Sequence, residues 1–279
     1  MEYCDLHNHS KCSDGSLTPC ELVKYAKEKG LYAIALTDHN TVEGYSEFVE
    51  TAKEQNIEYI FGTELTTGYN GKEIHLLVMF INEENAKEIE KFTASQLEKK
   101  KESNIDLEAN LVKAGYDISL QELYERFGEN INRSHFARML VEKGHFKITD
   151  EAFETVLKTG NGFYHPPKRL DFFEGIDLAK KWGCVPVMAH PLLSVTKEEL
   201  EAMLPIAKEK GLVGIEVYYP KFSKDEQNYL NSLAQKYNLI SSGGSDYHGN
   251  MKSSGDLGEA QVPYFCYKDL KNFHLKVDN

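Results

Sequence analysis

Histidines and carboxylates recur at the ends of short apolar segments along most of this chain. The first such segment leads into Asp5-Leu6-His7-Asn8-His9, and Asp14 follows a few residues later. In an extended segment residues i and i+2 face the same side, so His7 and His9 can both bind one ion. Similar residues lie on or after the later apolar segments: Asp38, His39, Glu64, His75, His190, Glu216, Asp246 and His248.

Each of these residues has a plainer structural explanation when it is considered alone. Asp38 could cap the helix that follows it, His190 could belong to a turn before Pro191, and Glu216 could be structural. The whole set is harder to explain in this way, because a buried ionisable group without a partner costs several kcal/mol. Divalent metal ions would supply the compensating charge, so the sequence predicts a metal site.

The types of candidate ligand narrow the choice of metal. Imidazoles and carboxylates without thiolates favour Zn, Mn or Fe over a calcium site or a structural zinc site. One ion uses roughly four to six ligands, and the chain offers more candidates than that. We therefore expect two or three divalent ions as the cofactor.

Alternating strands and helices would position these ligands. Thr18, Pro19 and Glu21 combine an N-cap, a first-turn proline and a capping-box partner, and the capping box recurs at 196–199 and 223–226. Such alternation favours parallel βα units, arranged as a barrel or as a doubly wound sheet. The strands are predicted at residues 2–6, 32–37, 57–64, 73–81, 185–189, 213–217 and 239–243.

The alternation stops between residues 83 and 165. This stretch is charged, with a capping box at Ser119 and Glu122, and it contains no convincing strand. We therefore predict a barrel domain formed by residues 1–82 and 166–279. A small helical subdomain, residues 83–165, would be inserted between its fourth and fifth strands.

Composition limits the partners and the compartment. The net charge of −12 disfavours binding to duplex DNA. No run approaches the ~20 apolar residues that span a membrane, and the N-terminal segment does not resemble a signal peptide. Five cysteines without a CxxC pair argue against disulfides and favour the cytoplasm.

Residues 130–170 differ in charge from the acidic remainder of the chain, with seven basic side chains against four acidic ones.

Several short motifs follow one another along the chain: His-x-His, Ser13-Asp14-Gly15, Thr37-Asp38-His39, Gly-x-Glu64, Ala-His190-Pro and Gly-Ser-Asp246-x-His248. Their types and order resemble the PHP (polymerase and histidinol phosphatase) superfamily. The resemblance covers residues 3–75 and 184–249 and implies a distorted (β/α)7 barrel with a trinuclear metal centre. The seven predicted strands agree with such a barrel.

The same resemblance implies a role for each ligand and for Asp38, which would orient a metal-bound imidazole. We expect the same of Glu216. Glu64, His190, Asp246 and His248 are expected to take part in catalysis as ligands rather than as general acids. His7, His9, Glu64 and Asp246 would hold the first ion, Glu64, His75 and His190 the second, and Asp14, His39 and His248 the third.

The predicted insertion carries a further motif. Asn132-Arg133-Ser134-His135-Phe136-Ala137-Arg138 resembles the Arg-x-His-x-Ala-Arg segment of a PHP subgroup with a helical insertion. Members of that subgroup remove phosphate from nucleoside 3′,5′-bisphosphates or trim the 5′ ends of short RNA. Where the subgroup usually has a tyrosine-valine pair after the insertion, this chain has Phe163-Tyr164-His165-Pro166-Pro167-Lys168. Arginine forks match phosphate oxygens, and we expect substrate phosphate to be bound by Arg133, His135, Arg138 and Lys168.

The expected activity is hydrolysis of a nucleotide phosphate ester by a hydroxide shared between two metal ions. The expected substrate is a nucleoside 3′,5′-bisphosphate or a short 5′-phosphorylated RNA, with no obligate protein partner. Three alternatives stay open: a phosphatase of the histidinol-phosphate type, a regulatory or proofreading module, and a metal-dependent amidohydrolase. The last would lack its usual bridging lysine.

Overall fold

Seven strands pair edge to edge into a barrel in the computed structural model, which describes residues 2–249 and 255–277. Two shorter strands, β5 and β9, pair at its margins with β3 and β1 and have no counterpart among the predicted strands. The strands are β1 (Tyr3–Asp5), β2 (Ala33–Leu36), β3 (Glu58–Tyr69), β4 (Lys72–Met79), β5 (Leu170–Asp171), β6 (Val185–Met188), β7 (Gly214–Tyr218), β8 (Ile240–Gly243) and β9 (Val262–Pro263).

The segments that follow β1 and β8 bring the two ends of the sheet together. The sheet runs in the order β8-β7-β6-β4-β3-β2-β1. The Leu6 amide donates to the Gly243 carbonyl at 3.1 Å, and the His9 amide donates to the Tyr247 carbonyl at 3.0 Å. The sheet is therefore almost closed, and the prediction of a distorted (β/α)7 barrel is confirmed.

One strand runs against the expected direction. β4 pairs antiparallel with both β3 and β6, whereas the prediction was for parallel units throughout. The cause is the two-residue turn Asn70-Gly71, in which both residues have positive φ, 48° and 78°. Asn-Gly at these angles is the favoured connection of a tight β-hairpin. Because β4 is reversed, its first half, with His75, lies where the other strands end.

Helices cover the outside of the barrel. The predicted N-caps Thr18, Thr196 and Ser223 each accept a hydrogen bond inside a complete capping box, as expected. No helix in the described ranges is both long and apolar enough to cross a membrane. The helices are α1 (Pro19–Glu28), α2 (Tyr45–Glu54), α3 (Glu83–Lys113), α4 (Leu120–Phe127), α5 (Arg133–Glu142), α6 (Thr149–Ala152) with a π-helical turn (Phe153–Leu157), α7 (Phe172–Lys181), α8 (Pro191–Ser194), α9 (Lys197–Lys210), α10 (Lys224–Lys236) and α11 (Tyr264–Val277).

The strands bury both faces. On β2, Ile34 and Leu36 pack with the surrounding helices, while Ala33 and Ala35 belong to a second cluster inside the barrel. This alternation follows from the two-residue period of a strand. Tyr267 of α11 joins the inner cluster, so the C-terminal helix covers the end of the barrel away from the predicted ligands.

Residues 83–165 are all described, and none of them lies in a strand. The first half of α3 packs on the barrel through Ile89. Its second half contributes Leu107 and Leu111 to a separate apolar cluster, together with Phe136 of α5. The helices of this stretch thus share a core of their own. The domain boundaries at residues 83 and 165 stay a prediction.

Candidate metal centre

The nine predicted metal ligands converge at one mouth of the barrel. They lie on β3 and β4 and on the segments that follow β1, β2, β6 and β8. The centre of the cluster, which includes His7, His9, Asp14, Glu64 and His248, is fully buried. Donor atoms within 4.8 Å of one another form three groups: His7, His9, Glu64 and Asp246; His9, Asp14, His39 and His248; and His39, Glu64 and His75.

These three groups resemble the three expected ligand sets. The first is identical to the set expected for the first ion, and the second adds His9 to the set expected for the third. The last contains His39 in place of His190. His190 still contacts the cluster, because its Nε2 lies 3.1 Å from Glu64 Oε1.

Glu64 stands at the junction of the groups. Its Oε1 lies 2.7 Å from His75 Nδ1 as well as 3.1 Å from His190 Nε2. Its Oε2 faces a different set of imidazoles at 3.1–3.2 Å, those of His7, His9 and His39. The two oxygens therefore point into separate donor groups, which is the arrangement that a carboxylate bridging two cations requires.

Several polar atoms of the cluster are buried without a hydrogen bond. Among the described residues, His9 Nδ1 and His190 Nδ1 make none. Buried polar atoms without partners are costly, and imidazole nitrogens with carboxylate oxygens are suitable ligands for divalent transition metals. The residues therefore fit a divalent-metal site, because bound cations would satisfy these atoms.

The close packing of the ligands shifts their pKa values. Burial lowers the pKa of His9, but hydrogen bonds to Asp246 and Glu64 and the charges of these residues raise it overall to about 9. Burial also lowers the pKa of His75, and Glu64 and Glu73 raise it overall to about 10. Burial raises the pKa of Glu64, but the surrounding imidazoles hold it well below its usual range. Because a coordinating imidazole must be deprotonated, protons and metal ions compete for these positions.

Two side chains contact the candidate ligands from the side away from the cluster: Glu216 on β7, and Tyr219 directly after β7. Glu216 Oε1 lies 3.0 Å from His7 Nδ1, so it orients that imidazole with Nε2 toward the cluster. This contact supports the orienting role expected for Glu216. The Tyr219 hydroxyl, which the sequence did not single out, donates to Asp246 Oδ2 at 2.9 Å.

Asp38 differs from its expected role of orienting an imidazole. Its carboxylate instead accepts hydrogen bonds from the Ser10 amide at 2.8 Å, from the Ser10 hydroxyl at 2.6 Å and from the Ser13 hydroxyl. The cause is local, because the loop after β1 presents these donors directly to the end of β2. Asp38 therefore shapes the loop that carries Asp14.

The backbone is strained at two of the predicted ligands. His190 has a φ of 24° and Asp246 a φ of 50°, in the region that residues other than glycine rarely adopt. Hydrogen bonds maintain both conformations: the His190 amide donates to Glu216 Oε2 at 2.6 Å, and the Asp246 amide donates to the His7 carbonyl at 3.0 Å. Such strain is typical of functional sites, where the surrounding structure holds it in place.

A cavity of about 340 Å³ extends from the cluster to the helices of residues 83–165. Metal-ligand candidates such as His39, His75 and Asp246 line one end, and Phe153 and Tyr164 contribute aromatic surface at the other. Basic side chains outnumber acidic ones on its walls. The basic residues are Lys99, Lys100, Arg133, Lys168, Arg169 and Lys221, and the acidic ones are Asp14, Glu73, Asp150 and Asp246.

Only two of the four predicted phosphate-binding residues line this cavity, Arg133 and Lys168. His135 is buried, and its Nδ1 accepts the Asn132 amide at the start of α5, so it completes a capping box. Arg138 points elsewhere and pairs with Glu142, four residues along the same helix, at 2.7 Å. The structure does not bring His135 and Arg138 to the cavity.

Two residues that line the cavity, Glu73 and Arg169, were not among the predicted site residues. Glu73 contacts the guanidinium groups of Arg133 and Arg169 and the imidazole of His75. Burial raises the pKa of Glu73, but Arg133 and His75 hold it well below its usual range. The spacing of Glu73 and His75, two residues apart on one strand, is the signal that could have found this carboxylate.

Relatives in sequence indicate one family. The sequence model of the PHP domain matches residues 5–164. A 5′-3′ exoribonuclease from Haemophilus influenzae is 30% identical over 88% of this chain and 89% of its own length. A 3′,5′-nucleoside bisphosphate phosphatase from Chromobacterium violaceum is 27% identical over 99% of this chain and 98% of its own length.

Solved structures agree with this relationship. A Bifidobacterium adolescentis protein described as a metal-dependent phosphoesterase superposes with a TM-score of 0.85 and 27% identity, over 96% of this chain and 95% of its own. An amidohydrolase from Chromobacterium violaceum superposes with a TM-score of 0.81 and 27% identity, over 97% of this chain and 96% of its own. The chain therefore belongs to the PHP domain family. The resemblance inferred from the motifs is confirmed, as is the expected class, a phosphate-ester hydrolase that binds divalent metal ions.

Proposed function

We propose that this hydrolase removes phosphate from nucleoside 3′,5′-bisphosphates. The observation that carries the proposal is that one continuous cavity joins the buried ligand cluster to the basic side chains of Arg133 and Lys168. A substrate with two phosphates can place one at the cluster and the other near these cations. The bisphosphate phosphatase activity named for the Chromobacterium relative, which aligns over 99% of this chain, supports this substrate class.

We assign three divalent ions to the three donor groups, with Mn, Zn or Fe as the candidates. His190 would join Glu64 and His75 at the second ion, as the resemblance implies. Divalent ions at such a centre supply a nucleophilic water at neutral pH and offset charge on the phosphoryl oxygens. Glu64, His190, Asp246 and His248 are then the ligands that surround the reacting phosphate.

The remaining residues bind and position the substrate. Arg133 faces the aromatic ring of Tyr164, with the guanidinium carbon 4.5 Å from the ring centre, so the guanidinium is held in place. A positioned guanidinium fork binds phosphate oxygens in a fixed geometry. We propose that residues 83–165 form a subdomain that supplies this binding surface, since its helices share their own core.

The test is phosphate release by the manganese-loaded protein from adenosine 3′,5′-bisphosphate, histidinol phosphate and a short 5′-phosphorylated RNA in parallel. We expect the bisphosphate to have the highest kcat/KM. Arg133→Ala should lower kcat/KM for it by about tenfold to a hundredfold, because a hydrogen bond to a charged group contributes about 1.5–3 kcal/mol. The metal content of Arg133→Ala should stay close to that of the unmodified protein.

Arg138→Ala is the matched control for Arg133→Ala. Both arginines lie on α5, but only Arg133 lines the cavity. We expect Arg138→Ala to stay within about twofold of the unmodified protein in kcat/KM, as a surface arginine should. A preference for histidinol phosphate, or equal losses in the two variants, would contradict the proposed substrate.

A second candidate substrate is a short 5′-phosphorylated RNA. Lys99, Lys168 and Lys221 line the cavity and form no ion pair with any residue in the described ranges. Unpaired lysines along an open cavity suit a run of backbone phosphates beyond the first nucleotide. The Haemophilus relative is named as a 5′-3′ exoribonuclease, which supports this reading.

Lys221→Ala separates the two substrates. We expect a larger loss of kcat/KM on a 5′-phosphorylated pentanucleotide than on adenosine 3′,5′-bisphosphate. The salt dependence on the RNA should also weaken by about one unit of logarithmic slope, as when one phosphate contact is lost. Lys224→Ala, on an exposed residue of α10 outside the cavity, is the control and should change neither value. Equal effects of Lys221→Ala on both substrates would rule out an extended RNA path over this residue.

We propose a reducing compartment for this protein because of its cysteines. All five are free thiols, and three of them are buried. Structural thiols without disulfides are typical of proteins in a reducing environment. We therefore expect the protein in the cytoplasm, acting on a small phosphorylated substrate.

A further inference from the structure

Glu73 lies between the metal cluster and the basic side of the cavity. It precedes His75 by two residues on β4, so the two side chains leave the same face of the strand. Its Oε1 lies 3.2 Å from His75 Nε2 and 3.0 Å from Arg133 Nη2. Its Oε2 lies 3.1 Å from Arg133 Nη2 and 2.5 Å from Arg169 Nη2. One carboxylate thus contacts a metal-ligand candidate and two guanidinium groups.

The contact with His75 fixes the orientation of that imidazole. A carboxylate only accepts hydrogen bonds when it is ionised, so His75 Nε2 carries the hydrogen. The opposite nitrogen, Nδ1, lies 2.7 Å from Glu64 Oε1 and, once it is deprotonated, would bind the cation that Glu64 also contacts. Carboxylates that hold a ligand imidazole in this way raise its basicity and define its tautomer.

The contacts with the arginines connect this carboxylate to the substrate side. Arg133 comes from the start of α5, and Arg169 immediately precedes β5, so Glu73 ties both segments to the barrel. Glu73 uses only the Nη2 atoms of the two guanidiniums among the described contacts. Arg133 Nη1 also donates to the Leu157 carbonyl at 3.3 Å, but each guanidinium has five N–H donors, more than these contacts use, so donors remain for a phosphate. A phosphate bound there would share the arginines with Glu73 and weaken their hold on its carboxylate.

We propose that Glu73 is a positioning residue that couples phosphate binding at Arg133 and Arg169 to metal binding at His75. When phosphate binds the two arginines, their ion pairs with Glu73 weaken. The Glu73 carboxylate then interacts more strongly with His75, and the imidazole binds its cation more tightly. Coupling of this kind is reciprocal, so metal binding strengthens phosphate binding by the same factor. The coupling rests on the proposed nucleotide substrate, whereas the orientation of His75 does not.

The test measures binding rather than turnover. Free Mn²⁺ is followed by electron paramagnetic resonance during titration of the metal-free protein, with and without adenosine 5′-monophosphate, which carries a phosphate but is not the proposed substrate. We expect adenosine 5′-monophosphate to tighten the weakest Mn²⁺ site by about fivefold or more. Glu73→Gln should weaken one Mn²⁺ site by about tenfold to a hundredfold and reduce the effect of the nucleotide to nearly none.

Two further variants keep the test decisive. Glu73→Gln leaves two arginines without their carboxylate and could destabilise the fold. The double variant Glu73→Gln/Arg169→Gln removes one charge of each sign, so it separates loss of metal affinity from misfolding. It should show the same loss of Mn²⁺ affinity with a melting temperature closer to that of the unmodified protein. Glu199→Gln is the control, because Glu199 pairs with Lys72 beside Glu73 but lies outside the cavity.

The outcomes separate this inference from the proposed function. Unchanged Mn²⁺ affinity in both Glu73 variants would overturn the positioning role. An equal effect of adenosine 5′-monophosphate in the unmodified protein and in Glu73→Gln, or none in either, would overturn the coupling. Failure of the proposed function would appear elsewhere, as absence of turnover of adenosine 3′,5′-bisphosphate by a protein that still shows the Glu73 effect on Mn²⁺.

Discussion

Replacing Glu64 with glutamine should lower kcat/KM by about a thousandfold or more and remove at least one equivalent of bound metal. Glu64 contacts five imidazoles of the cluster, and its two oxygens face different donor groups. An amide keeps the shape of the side chain but loses the charge and one of the two acceptor atoms. Loss of ligation removes several kcal/mol of transition-state stabilisation, and about 4 kcal/mol corresponds to a thousandfold.

Metal content by mass spectrometry and initial rates on the preferred substrate measure this effect together. Glu58→Gln is the control on the same strand, because the Glu58 carboxylate accepts from Lys271 at 2.8 Å at the opposite end of the barrel. It should keep full metal content and nearly full activity. If Glu64→Gln keeps all its metal and stays within about tenfold in kcat/KM, the bridging role assigned to Glu64 is wrong.

Replacing Asp5 with alanine should cost roughly 3 kcal/mol of unfolding free energy or more. The Asp5 carboxylate is fully buried and accepts hydrogen bonds from the Ser245 amide at 3.0 Å, the Ser245 hydroxyl at 2.5 Å and the Gly258 amide at 2.8 Å. These bonds join β1 to the segment after β8, where the barrel closes. Removal leaves buried donors without an acceptor, and each such donor costs about 1–3 kcal/mol.

Thermal unfolding of the metal-loaded protein checks this expectation. Domains of this size lose roughly 2–4 °C in Tm per kcal/mol, so Asp5→Ala should melt about 6–12 °C lower. Asp177→Ala is the comparison, because Asp177 is half exposed and its ion pair with Lys210 lies on the surface. Exposed pairs contribute about 0–1 kcal/mol. Equal melting temperatures of the two variants would show that Asp5 does not hold the closure of the barrel.

Much of the fold was predictable because its signals are local. Apolar runs flanked by capping boxes define the seven barrel strands, and Thr18, Thr196 and Ser223 cap their helices as predicted. The ligand candidates were predictable for a related reason. A histidine or carboxylate placed at each of several strand ends has to converge with the others once the strands form a barrel.

The missed features depend on the geometry of particular contacts. The reversal of β4 had a local signal, the Asn70-Gly71 turn, which the expectation of parallel units obscured. The partnership of Glu73 with Arg169 had none, because the two residues are 96 positions apart in the sequence. His135 was assigned to phosphate binding from its motif alone, although its position three residues after Asn132 equally suits a capping box.

We propose that nine side chains from separate segments of the barrel form a three-ion centre. Anomalous diffraction from crystals of the manganese-loaded protein is the most direct test. We expect three peaks at the barrel mouth, each within about 2.0–2.4 Å of donor atoms from one of the proposed ligand sets. A single peak, or peaks whose ligands lie outside these nine side chains, would contradict it.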